Sequence, residues 1–168
     1  GWLKGINSTG GDTTRDMGLD GKYASLNQYT ARDAIGVTLN YHAGDYFAVN
    51  TGVSPFPSPT GALNSNYRPL YNGNISSMSI FNRRLGELGP ANQATLLYNY
   101  RYDQLNRLTA MDVFKNFSTS NNNWNSILPD TMMKERVKYD ANGNILAYLR
   151  NAATGPRIAS PRQRASAR

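Results

Sequence analysis

The residues that could support chemistry are few. The chain has a single histidine, His42, and no cysteine, so a thiolate metal site, a thiol nucleophile and a disulfide framework are all excluded. A catalytic triad would need a serine nucleophile signature to serve that histidine, and none surrounds it, which leaves His42 as an ordinary strand-end residue. Asp12, Asp16 and Asp20-Gly21 form an acidic string. A calcium loop of EF type places its acids two apart with glycine sixth and a later glutamate, whereas these are four apart, so the string reads as a solvated loop. Asp103 and Asp140 could serve as the paired carboxylates of glycoside hydrolysis. They stand at the same place in a repeat, however, where turn formation accounts for both. No catalytic residue, metal ligand or cofactor site is expected. The remaining surface of interest is Tyr98, Tyr100 and Tyr102, whose rings could pack into a wall or form a sugar-binding platform. Wall packing is the preferred reading, with Tyr98 and Tyr100 as the candidate binding face.

These residues need strands to position them. Tyr98, Tyr100 and Tyr102 fall on one face of a predicted strand Leu96 to Tyr102, with Asn99 and Arg101 on the other. Ile35, Val37, Leu39 and Tyr41 alternate with Gly36, Thr38 and Asn40, and Val137 and Tyr139 alternate with Arg136 and Lys138. Further strands are expected at Trp2 to Ile6, Ile75 to Phe81, Arg107 to Phe114 and Ile145 to Arg150. A turn or two of helix is expected within Lys22 to Ala34. Prolines 55, 57, 59 and 69 make residues 52 to 69 a loop, because each removes a donor that a central strand would need. Residues 116 to 131, centred on Asn121, Asn122 and Asn123, form a second polar loop. The fold class is therefore all-β, mainly antiparallel. Tyrosine-rich and charge-poor composition, with abundant Gly, Asn, Ser and Thr, agrees with many short strands joined by turns.

The 168 residues carry a net charge of +7, but four arginines (Arg157, Arg162, Arg164, Arg168) sit beyond residue 151 with no acid among them. The rest of the chain holds only a small excess of bases. A specific nucleic-acid partner is not expected, since the tail lacks interleaved aromatics and a groove. Its Ala, Ser, Pro and Arg composition cannot bury enough apolar area to order it, so residues 152 to 168 are expected to be a disordered basic tail. No apolar run reaches the length of a membrane span or a signal-peptide core. The chain opens Gly1-Trp2-Leu3 without methionine, and the natural start, with any signal segment, is expected upstream.

An internal repeat organises the rest. Tyr102-Asp103-Gln104-Leu105-Asn106-Arg107-Leu108 matches Tyr139-Asp140-Ala141-Asn142-Gly143-Asn144-Ile145 position by position, 37 residues later. Asn72-Gly73-Asn74-Ile75 is a third, partial copy, and Gly1-Trp2-Leu3 matches the end of a fourth. In each unit Tyr ends a strand, Asp can accept from backbone amides just ahead, Gly or Asn takes the positive φ of the turn, and Leu or Ile begins the return strand. A hairpin alone is marginal in water, so such units must stack side by side.

At these residues the chain resembles the RHS/YD-repeat family, which includes bacterial polymorphic toxins, the cocoon component of insecticidal toxin complexes and the teneurins. Gly1 to Asn7, Ala31 to Gly36 with Leu39 and Tyr41, and Leu70 to Ile75 are similar to RHS proteins of Bacteroidetes type. The resemblance implies that residues 1 to 151 are a repeat segment with a loop-rich insertion at about 8 to 69, part of a β-ribbon that spirals into a hollow shell. Its implied partners are other repeats of the same polypeptide and an enclosed C-terminal toxin domain, and its implied location is secreted or at the cell surface. The self-cleaving ending of Asp-Pro-x-Gly-Leu type found in related shells is not matched, so no proteolytic role carries over. The rival expectation is an adhesive β module that binds carbohydrate or protein through its tyrosine face.

Overall fold

The computed structural model describes residues 1–12, 15, 16, 18–88 and 94–151. The arginine-rich stretch 152–168 lies outside the described residues. Seven strands form one antiparallel sheet in sequence order: β1 (Gly5–Ile6), β2 (Ile35–Asn40), β3 (Ser77–Asn82), β4 (Thr95–Tyr102), β5 (Leu108–Lys115), β6 (Leu128–Tyr139) and β7 (Ile145–Arg150). The fold is all-β. Two short helices, α1 (Thr60–Leu63) and α2 (Arg83–Leu88), lie in connections.

Several boundaries differ from the sequence reading. The first strand shrinks to two residues, and Ile75 and Arg107 precede their strands rather than opening them. The helical turn expected in Lys22 to Ala34 is instead a chain of separate i to i+3 turns. Ala24 has φ 61°, and the Gln28 side chain takes the Ala24 N–H, so a helical ladder cannot propagate. Within the proline loop, α1 and a 3-10 turn (Asn64–Asn66) form downstream of Pro59, where no sheet pairing competes. The second polar loop ends earlier than expected, because β6 begins at Leu128 and carries Pro129 opposite Phe114. That proline is tolerated because β7 pairs only with Glu135 to Tyr139, leaving this half of β6 at the sheet margin.

Register sorts the side chains into two faces. Thr38, Ser79 and Leu97 lie in one cross-strand row, and Asn40, Ser77, Asn99 and Asp112 in the next. This face is polar, yet Thr38, Ser77, Ser79, Thr95 and Asn99 are all but completely buried. The loops before β2, between β2 and β3, and between β5 and β6 cover it. Trp124 donates its indole N–H to Ser79 Oγ at 3.0 Å, Asn99 donates to the Asn66 carbonyl at 3.1 Å, and Thr95 donates to the Thr9 carbonyl at 2.8 Å. Gly36 permits the close approach of the first loop, since a Cβ there would lie 2.2 Å from the Ser8 carbonyl oxygen. At the centre Leu63, Leu97, Phe114, Phe117 and Trp124 form the apolar knot. Both stretches read as polar loops thus supply core residues, Leu63 and Trp124 above all.

The opposite face is apolar. Leu96 and Val113 are buried on it, and Val37, Leu39, Met78, Ile80, Tyr98, Tyr100 and Met111 around them remain half-buried.

Candidate functional site

The repeat units gather at one end of the sheet. Asp103 Oδ1 accepts the backbone N–H groups of Leu105 and Arg107 at 2.9 and 3.0 Å, and Asn106 takes φ 62°. Asp140 Oδ1 does the same for Asn142 and Asn144 at 3.0 and 2.8 Å, with Gly143 at φ 89°. The two loops are the same structure built from different residues at the variable positions. Both carboxylates are saturated by turn amides and by the side chain four residues on, Arg107 Nε at 2.7 Å or Asn144 Nδ2 at 2.9 Å. Those hydrogen bonds, above all to the Arg107 backbone, hold the Asp103 carboxyl below its ordinary range. In the partial copy the Asp position is Leu70, and Asn72 Oδ1 caps Asn74 N–H instead at 3.1 Å, with Gly73 at φ 90°.

The units touch one another. Asn72 Nδ2 donates to Asn106 Oδ1 in the next unit. Arg107 donates to the Asp140 carbonyl at 3.3 Å and lies over the Tyr139 ring at 4.6 Å from its centre. Tyr102 donates its hydroxyl proton to the Ile75 carbonyl at 2.8 Å, and Tyr139 donates to the Leu108 carbonyl at 2.9 Å. Ile75 and Leu108 are the Leu/Ile positions of the preceding units. A third bond follows the same rule: Tyr41 donates to the Leu3 carbonyl at 2.9 Å. Tyr41 therefore stands where the repeat tyrosine stands, and Asn72 to Ile75 closes the unit that it opens, with 30 residues between Tyr41 and Asn72 where the full copies have two. The sequence reading placed Tyr41 on a strand but not in a repeat unit, because His42 rather than aspartate follows it and Asn72 lies 31 residues further on.

Tyr98 and Tyr100 sit on the apolar face, between Met78 and Val113 and beside Met111 respectively. Burial pushes the Tyr100 phenol up to about 12, with Tyr102 and Tyr98 adding to the effect. The Tyr98 phenol is raised by burial and then by Asp130. Across the sheet the Tyr98 row continues through Val113 to Asp130 and the Tyr100 row through Met111 to Glu135, so each ring has an aliphatic or thioether neighbour beside it and a carboxylate one strand further on.

Of the remaining candidates, His42 packs its ring against Tyr71 at 4.6 Å, with no serine hydroxyl bonded to it among the described residues. Asp12 pairs with Arg15, whereas Asp16 and Asp20 come within 4.8 Å of Asp33, a residue the acidic string did not contain. Asp33 has its pKa raised, first by desolvation and then by its hydrogen bond with Asp16 and the nearby Asp16 and Asp20 charges. No family model, curated protein or solved structure matches the chain.

Proposed function

We propose that the chain is a wall segment of an RHS-type encapsulating shell, in a secreted or cell-surface polymorphic toxin, and that it performs no reaction of its own. The observation that carries this reading is the clamp used three times, Tyr41 to Leu3, Tyr102 to Ile75 and Tyr139 to Leu108. Each bond ties one hairpin unit to its predecessor by the same two positions, which is the rule of a stacked array. On this reading β7 is a place to add the next unit, and the half-buried apolar face is a lining for the enclosed C-terminal domain. Saturation of Asp103 and Asp140 by their own turns supports a structural role for the repeat carboxylates.

Immunoblotting of the source cells with an antibody against residues 70 to 150 tests the proposal. A species many times larger than 18.6 kDa and located outside the cytoplasm is the expected result. A stable secreted species near 18.6 kDa would overturn it.

A further inference from the structure

A cleft of about 190 Å³ opens between the end of β2 and the proline loop, beside the turn that Tyr41 opens. Its floor is Lys4, Asn40 and Asp45. Lys4 Nζ donates to both Asp45 oxygens at 2.8 and 2.9 Å, to Asn40 Oδ1 at 2.8 Å and to the Leu39 carbonyl at 2.8 Å. Asp45 Oδ2 also accepts the Tyr41 N–H at 2.8 Å. The cation and the anion are thus spent on each other, and the cleft offers polarity without net charge. Among the described residues the Asn40 amide nitrogen, in a residue only 4 % exposed, is buried without a partner. Ser54 and Ser58 add hydroxyls to the wall.

The aromatic residues set the second half of the chemistry. Tyr46 meets Phe56 edge to face at 4.9 Å on the wall, and His42 on the rim carries Tyr71 at 4.6 Å on one side and Trp2 at 6.4 Å on another. Trp2, Tyr46 and Tyr71 are held by neighbouring rings and yet are 55 %, 43 % and 74 % exposed. Trp2 also packs against Tyr41 at 4.8 Å and over the Gly73 turn, which fixes its ring beside the cleft mouth while one side stays open. A ligand with apolar C–H faces and many neutral hydroxyls would use both halves. The cleft has room for several waters or for a single small ring.

From this cleft we propose that residues around Lys4, Asn40, His42, Asp45 and Tyr46 form a binding site for a neutral saccharide, with one sugar ring seated in the cleft and its neighbour stacked on the exposed rings at the rim. The proposal does not depend on the shell reading, although Trp2 and Asp45 also contact the clamp tyrosine Tyr41. It also places the sugar site on residues other than Tyr98 and Tyr100.

The test uses the full 168-residue chain and a panel of neutral mono- and oligosaccharides of glucose, galactose, mannose and N-acetylglucosamine. Trp2 supplies the readout, because the other tryptophan, Trp124, is 2 % exposed in the core. A saturable fluorescence change is expected with at least one sugar, abolished as a signal in Trp2→Phe. Chemical-shift changes are expected at His42 and Tyr46. Tyr46→Ala and Tyr71→Ala remove exposed rings, so they are expected to leave the circular dichroism unchanged while weakening binding about tenfold. Tyr98→Ala is expected to leave binding unaltered. Absence of any sugar-dependent shift across the panel overturns the proposal. So does binding that survives both ring removals, or that disappears with Tyr98→Ala.

Discussion

On one face of the sheet Thr38, Ser77, Ser79, Thr95 and Asn99 are sealed under loops, while on the other Val37, Leu39, Met78, Ile80 and Tyr100 are only half covered. The first face is polar and buried; the second is apolar and partly open. In a free-standing sheet the order would be reversed, since apolar area is what burial rewards. The cap explains the first face. Its small side chains let the loop backbones come close, and hydrogen bonds to Thr9, Asn66 and Trp124 replace those to water. Even so, among the described residues Ser77 Oγ and Asn99 Oδ1 in one row keep no hydrogen-bond partner. The second face is left for something the loops do not supply, and on the shell reading that is the cargo.

The comparison breaks most readily at the cap. Trp124→Ala removes the largest fully buried side chain and strands Ser79 Oγ, and is expected to cost about 3–5 kcal/mol in urea unfolding. Tyr98→Ala on the other face is expected to cost less, about 1–2 kcal/mol, because that ring is already partly solvated. Equal losses would show that the apolar face is the true core and the cap an accessory.

A finer cut separates tyrosines by their hydroxyls. Tyr139→Phe and Tyr102→Phe each delete one clamp to a carbonyl and are expected to lower stability by about 1 kcal/mol. Tyr100→Phe removes a phenol held up to about 12 by burial. A raised folded value means stability fully present below the unfolded value of 10.0 and lost as pH rises from there toward 12. Tyr100→Phe is therefore expected to flatten the alkaline limb of a stability-versus-pH curve. If the limb is unchanged, the ring is more solvated than its surroundings indicate.

The strand around Ile35 was legible because apolar residues alternate from Ile35 to Tyr41, and that around Leu96 because Tyr98, Tyr100 and Tyr102 alternate with Asn99 and Arg101. The Tyr-Asp turns were legible because their hydrogen bonds are local. What was hidden depended on distance along the chain. Trp124 and Leu63 sit in stretches whose average composition is polar, and they become core only when two loops meet over Leu97. Asp33 joins Asp16 and Asp20 only through folding, and the clamp from Tyr41 to Leu3 spans 38 residues with no aspartate to announce it. Alternation identified which residues share a face, but which face is covered was decided by the insertions.

The smallest expected effect tests the turn ladder against the cap, since the ladder is held by exposed charge and the cap by buried contacts. Hydrogen bonds from the Arg107 and Leu105 amides and the Arg107 side chain depress the Asp103 pKa below 3.8. A depressed folded value means that the contribution is present above the unfolded value and is lost as pH falls through the folded one. Its window therefore lies below pH 3.8, the value for an unperturbed carboxyl. Asp103→Asn keeps an acceptor for the two amides but removes the charge facing Arg107. The variant is expected to be slightly less stable than the parent at neutral pH and to converge with it in acid, with added salt narrowing the gap. Protection of the Leu105 and Arg107 amides against hydrogen exchange should fall in parallel, while that of Leu97 beneath the cap should not. A neutral-pH loss as large as that of Trp124→Ala would mean that the ladder, not the cap, holds the sheet together.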